Sequence, residues 1–205
     1  IRVPPEWIVP LPKGLTLREA MMLGTAGLTA AMSIEALEKS GFTSPVLVTG
    51  SSGGVGSIAV TLLSELGYEV VASTGSEGSH ELLKQIGAKQ IIQRSELSQA
   101  NDKPMLKPIY GGAVDTVGGD TLVNIVKQLQ AGSSVAACGL VGGANLNLTI
   151  YPFILRSVNL FGIDSQNYPM AKREALWQKL GSAWKVDLEP LTTEIGLEDL
   201  DAAID

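Results

Sequence analysis

Residues Val46 to Gly56 read VLVTGSSGGVG, an apolar run that ends in a burst of small residues. Gly53 and Gly56 carry the spacing of the second and third glycines of a G-x-G-x-x-G turn. Ser51 stands at the first position, with Gly50 one residue earlier. In such a turn the backbone N–H groups at the start of the following helix converge on a pyrophosphate, and side chains there would block its approach. No Gly-Lys-Ser/Thr follows, so the turn cannot reach terminal phosphates and magnesium as a P-loop does. The chemistry open to it is the holding of a dinucleotide by Ser52, Gly53, Gly54, Val55 and Gly56. A tight turn kept by purely structural glycines is the alternative.

The same stretch satisfies a second pattern. Thr49, Gly50, Gly54 and Gly56 fit the T-G-x-x-x-G-x-G signature of short-chain dehydrogenases, and Tyr168-Pro-Met-Ala-Lys172 has the spacing of their Tyr-x-x-x-Lys pair. Three features count against that reading. Pro169 belongs at a helix start, whereas the pair needs a helix interior, where proline costs about 3 kcal/mol. The Asn-Ala-Gly segment expected after the fourth strand is replaced by DTVGG. A full helical segment also precedes the first strand, where that family begins with the strand itself. Tyr168 then reads as a loop tyrosine and Lys172 as a solvated first-turn lysine.

The elements around the turn must place it at a sheet edge. Thr16-x-x-Glu19 has capping-box spacing and opens a helix that runs towards Lys39, with Gly41 as its stop. PVLVTG is a continuous apolar run, too short for a helix and suited to a strand buried on both faces. Val55, Ile58, Ala59, Leu62 and Leu66 recur at helical spacing until Gly67. YEVVAST, KQIIQ, GAVDTV, SSVAACG and VNLFGID read as further strands, and HELLKQIG, Asp120 to Gln130 and Lys172 to Trp184 as helices. Ser95 to Lys107 is polar and reads as a long surface loop. Strands alternating with helices predict an α/β fold: a Rossmann-type doubly wound parallel sheet with helices on both faces.

Bulk properties narrow the partners. A chain of 205 residues with 45% hydrophobic and 18% charged residues folds around a sizeable core. A net charge of −6 and a pI near 4.9 argue against nucleic acid, which needs a basic surface. No apolar run reaches the roughly 18 residues of a membrane span, so no membrane partner is expected and a cytoplasmic protein is. Cys138 is the single cysteine, which excludes an internal disulfide and any multi-cysteine zinc site. It sits in an apolar strand and reads as a small buried hydrophobe. The chain opens without an initiator methionine and stops at EDLDAAID inside a helical pattern, so it reads as part of a larger protein.

The second strand ends Ser73-Thr74-Gly75-Ser76, without the acid that binds a ribose 2′-hydroxyl in an NAD site. Nothing there repels a 2′-phosphate, and hydroxyls plus the Gly75 amide can donate to it. NADP(H) is therefore the expected cofactor.

The segments LPKGLTLREAMMLGTAGLTA, TGSSGGVGS, ACGLVGG and PFILRSVNLFGIDS together resemble the medium-chain dehydrogenase/reductase superfamily. Within it they are similar to the zinc-free quinone oxidoreductase branch, in its acrylyl-CoA reductase (YhdH/YhfP-type) group. The resemblance covers almost the whole chain and implies two parts. Residues 1–16 would be the connector from an N-terminal GroES-like catalytic domain absent from this chain, and 17–205 an NAD(P)-binding Rossmann domain truncated at its C-terminus. It implies that Thr74, Gly75, Ser76 and Arg94 hold the 2′-phosphate. Ser76 departs from the arginine or lysine usual there, which removes a charge-assisted contact. It further places Leu140 by the nicotinamide ribose, and Ile154 and Ser165 near the nicotinamide, with core packing the alternative for Ile154. The implied activity is NADPH-dependent hydride transfer to an activated carbon–carbon double bond, as in an acrylyl-CoA-like enoyl thioester, or to a quinone. No catalytic acid and no metal site are expected in this chain, and a homodimer paired edge to edge through the sixth strand is. A non-catalytic nucleotide-binding module is the reading from another class.

Overall fold

The structure is a computed structural model and describes residues 2–204. Thr16 opens α1 (Leu17–Ser40) with the full capping box: the Glu19 amide donates to Thr16 Oγ1 (3.2 Å) and the Thr16 amide to Glu19 Oε2 (2.7 Å). Gly41 ends it in the left-handed conformation. Between these ends Gly24 leaves the helix, at φ 50° and ψ −151°, and kinks it. That backbone region is close to one open only to glycine.

Then come β1 (Val46–Thr49), α2 (Gly54–Glu65), β2 (Val70–Thr74), α3 (His80–Gln85) and β3 (Ala88–Gln93). A short α4 (Ser95–Ser98) stands where the polar composition predicts only loop. The chain continues through β4 (Gly112–Asp115), α5 (Gly119–Gln128), β5 (Ser134–Ala137), α6 (Tyr151–Arg156) and β6 (Asn159–Gly162). It closes with α7 (Met170–Leu180) and α8 (Leu200–Ile204). The α6 helix was not expected. The α7 helix begins two residues before the predicted Lys172 and ends at Leu180 rather than Trp184, because Pro169 caps it and Gly181 follows it.

All pairings are parallel, and the six strands stand in the order β3-β2-β1-β4-β5-β6. This is the doubly wound order in which β1 and β4 flank the point where the winding reverses. The central strands are buried along their whole length, so alternate residues serve two cores. Val46 and Val48 face one core with α1, α2, α3 and α7; Leu47 faces the other with Leu97, Leu122 and Ile125. The expected α/β fold is therefore present, with helices on both faces.

By length and composition α1 could cross a membrane, contrary to the expectation from the sequence, since its 24 residues include an 18-residue window of mean hydropathy 1.3. Of that window 56% is buried inside the fold, which explains its apolar character as core packing.

Candidate functional site

Three loops leave the carboxyl ends of β1, β2 and β4, and between them lies an open cleft of about 490 Å³. Gly50, Ser52 and Gly53 line it from the first loop, and Ser73, Thr74 and Gly75 from the second. Thr116, Val117, Asp120 and Thr121 form the opposite wall, with Val141 and Gly142 beyond them and Arg94 and Ser98 at the outer end. Open parallel sheets bind ligands at this position, where neighbouring crossovers diverge.

The glycine turn is built differently from its one-dimensional reading. Gly50, not Ser51, takes the first glycine's part, with φ at 57°. Ser51 is fully buried, and its hydroxyl bonds to the carbonyls of Val48 (2.7 Å) and Ser73 (3.0 Å), clipping the end of β1 to β2. Gly53 caps α2, and its amide closes the turn onto the Gly50 carbonyl at 2.9 Å. Gly54, Val55 and Gly56 are the first three residues of α2, so their amides have no helical acceptor. A Cβ on Gly56 would fall inside contact distance of the Gly50 carbonyl oxygen and 2.8 Å from its carbon. Gly56 thus lets the helix start lie against the strand end.

At the second loop, Ser52 Oγ and Thr74 Oγ1 are 3.1 Å apart, and the Ser76 amide donates to Thr74 Oγ1 at 3.1 Å. The Ser76 hydroxyl accepts from Ser79. The Arg94 amide donates to the Thr74 carbonyl (2.9 Å), and its guanidinium lies over Gly75, so that a Cβ there would be 2.9 Å from Arg94 Cζ. Arg94 makes no ion pair among the described residues. Ser52, Gly53, Thr74, Gly75 and Arg94 are therefore brought to one cleft, with the first turn of α2 behind them.

Leu140, Ile154 and Ser165 are not brought into that cleft. Leu140 lies beside it in the chain but stands 68% exposed, while its neighbours Val141 and Gly142 line the wall. Ile154 is 63% exposed on α6, which removes the core-packing alternative. Ser165 follows β6, and its carbonyl accepts from Arg173 at 2.8 Å. Cys138 is half-buried rather than sealed in the core, and its thiol donates to the Asp115 carbonyl. Burial, then the charge of Asp115, pushes that thiol up to about 11.

Tyr168 lies outside α7 and donates to Glu35 Oε2 at 3.1 Å. Burial and that carboxylate push its hydroxyl up to about 12. Tyr168 and Lys172 line a separate hollow with Met32, Glu35 and Phe161, so they form no tyrosine-lysine pair at the glycine turn. The sequence reading missed the wall from β4, since Thr116, Val117, Asp120 and Thr121 match no motif. Its one signal is positional, because β4 must neighbour β1 in a doubly wound sheet. Among the described residues no group of three or more His, Cys, Asp or Glu side chains is placed to hold a metal ion.

Comparison with known proteins agrees with this geometry. Residues 54–181 match the model of the zinc-binding dehydrogenase family, although the described residues offer no donor set for the zinc of its name. The acrylyl-CoA reductase AcuI of Ruegeria pomeroyi is 46% identical over 95% of this chain and 60% of its own length. The crystal structure of YhfP from Bacillus subtilis with NAD bound superposes with a TM-score of 0.93 at 47% identity, covering 98% of this chain and 63% of that one. Escherichia coli YhdH with bound NADPH gives 0.92 at 43% identity, with the same coverage. The chain thus spans about three fifths of the length of these relatives. The chain belongs to the zinc-binding dehydrogenase family, and with it to the medium-chain dehydrogenase/reductase superfamily.

Proposed function

We propose that this chain is the NADP(H)-binding domain of a cytoplasmic, zinc-independent oxidoreductase that reduces the activated double bond of an enoyl thioester such as acrylyl-CoA. The observation that carries the reading is the cleft itself: a glycine turn at the switch point of the sheet, and an acid-free end of β2 crossed by the Arg94 guanidinium. The amides of Gly54, Val55 and Gly56 would receive the pyrophosphate, and Ser52 would donate to it. Thr74, Gly75, Ser76 and Arg94 would surround the 2′-phosphate, and Leu140, Ile154 and Ser165 would serve the nicotinamide end. When bound, the dinucleotide supplies the hydride taken up at the β-carbon of the substrate, while the α-carbon gains a proton. This chain's residues bind and orient; we assign the choice of substrate and the proton donor to the N-terminal domain, which residues 1–16 would join. A quinone is the second substrate reading, favoured by the naming of YhfP as a quinone oxidoreductase.

Titration of the chain with NADPH, read by nicotinamide fluorescence, tests the cofactor reading. Saturable binding is expected, and none up to about 1 mM, roughly 4 kcal/mol of affinity, would refute it. In the full-length protein, NADPH oxidation by acrylyl-CoA separates an enzyme from a binding module, and oxidation by a quinone alone would replace the thioester reading.

A homodimer is the proposed assembly. β6 is the last strand of the sheet, with its outer edge unpaired by any described strand, and Ile154 and Leu155 of α6 are exposed near it in sequence. Open strand edges favour pairing with a second copy. Light scattering should give twice the chain mass; a monomer at every concentration would count against this pairing.

A further inference from the structure

The glycine turn after β1 and the wall after β4 face each other across the cleft, and one fully buried carboxylate links them. Asp115, the last residue of β4, has no exposed surface and does not line the cleft. Its Oδ1 accepts the Thr49 hydroxyl at 2.6 Å and, at the longer distance of 3.4 Å, the Val117 amide. Its Oδ2 accepts the Gly118 amide at 2.8 Å. Thr49 completes the link from the other side: its Oγ1 accepts the Thr116 amide (3.1 Å), and its carbonyl accepts the Thr116 hydroxyl (2.9 Å). The next residue, Gly50, begins the pyrophosphate turn, and a Cβ there would collide with Thr116 Oγ1. On the far side, the Val117 carbonyl accepts the Gly142 amide (2.7 Å), and the Asp115 carbonyl accepts that of Cys138 (2.9 Å).

A carboxylate buried without a cation is costly, and Asp115 has no ion-pair partner among the described residues. The carboxylate accepts the Thr49 hydroxyl on one oxygen and the Gly118 amide on the other, so both bonds are charge-assisted. An asparagine can keep the Gly118 amide on its oxygen only by turning its NH2 to the Thr49 side, where the hydroxyl must reverse and accept, and both bonds become the weaker neutral kind.

We infer that Asp115 is a positioning residue for the dinucleotide: through Thr49 it fixes the distance between the glycine turn and the Thr116–Gly119 wall, and so the width of the cleft. This rests on the reading of the cleft as an NADP(H) site. Burial raises the carboxyl above its ordinary range, and the Thr49 hydroxyl and the Gly118 and Val117 amides oppose that rise. Those donors are the same ones that hold the loops.

The test is NADPH affinity, by fluorescence titration of this chain, for Asp115→Asn, Thr49→Val and Thr49→Ser. Thr49→Val keeps the shape and removes the hydroxyl; Thr49→Ser keeps the hydroxyl. Asp115→Asn and Thr49→Val should each weaken NADPH binding about tenfold, while Thr49→Ser stays within about twofold of the unsubstituted chain. Leu176→Ala, a cavity in fully buried α7 packing away from the cleft, should lower the melting temperature and leave affinity unchanged. If Asp115→Asn does not fold, the Thr49 pair decides alone. Unchanged affinity in Thr49→Val, or an equal loss in Thr49→Ser or Leu176→Ala, overturns the positioning role while leaving the cofactor reading intact. Failure of the unsubstituted chain to bind NADPH overturns both.

Discussion

Gly56→Ala should cost this chain its dinucleotide binding and several degrees of thermal stability together. The added methyl would point at the Gly50 carbonyl and lie 2.8 Å from both the Gly50 carbonyl carbon and the Ser51 Cα. All three obstacles are backbone, and Gly50 is already committed to a positive φ, so no flexible side chain can give way. The strain must be relieved by lifting the start of α2 off the end of β1. That movement displaces the three amides proposed to receive the pyrophosphate. Overpacking of this kind costs roughly 1–3 kcal/mol, equivalent to a melting-temperature loss of about 2–12 °C for a chain of this size. Affinity should fall by more than about tenfold, because both the amide positions and the close approach are lost. Gly54→Ala is the internal control for stability alone, since its amide too is proposed to face the pyrophosphate. Its Cβ would meet only the Ala26 Cβ, at an ordinary 3.5 Å, so stability should hardly change. Calorimetry and NADPH titration of the two variants together check this. Equal, small effects would mean that the turn does not need its third glycine.

How far this could be read in advance depended on whether the physics was local. The four inner strands were legible because burial on both faces leaves a continuous apolar run, as in VLVT and VVAST. The capping box at Thr16 and Glu19 was legible because both partners lie within one turn. The kink at Gly24 was not, since an isolated glycine in a helical pattern does not announce its dihedral angles. α6 could have been found from Pro152 in the first turn of YPFILR, but six residues are too few for a periodic signal. Ser51 was misplaced as a turn position because a pattern counts residues, while the fold assigns the turn to whichever residue reaches positive φ. The cleft itself divides the same way. Its glycine side is a local motif, whereas its Thr116–Thr121 side exists only because strand order brings β4 beside β1. Asp115 belongs to that second kind: its link to Thr49 spans 66 residues.

Arg94→Gln should separate the two nicotinamide cofactors. Arg94 stands just after β3, the strand next to β2, and its guanidinium lies across Gly75, where the acid of an NAD site would otherwise project. With no ion-pair partner in the described structure, it can turn its full charge to a 2′-phosphate. Ser76, whose hydroxyl accepts from Ser79, offers only a neutral bond, and Arg94 is the cation among the described residues that line the cleft, so it bears the charge recognition at this end. Losing a hydrogen bond to a charged group costs roughly 1.5–3 kcal/mol, which predicts about a 10- to 100-fold rise in the NADPH dissociation constant. NADH has no 2′-phosphate, so its affinity should move by less than about threefold. The salt dependence gives a second, independent readout. An exposed charge pair weakens as ionic strength rises, so NADPH affinity should fall with salt in the unsubstituted chain and much less in the variant. If NADH and NADPH weaken equally, Arg94 acts on the shared adenosine and the 2′-phosphate is held elsewhere. If neither changes, the acid-free end of β2 confers no preference in this chain, and Arg94 plays no part in holding the dinucleotide.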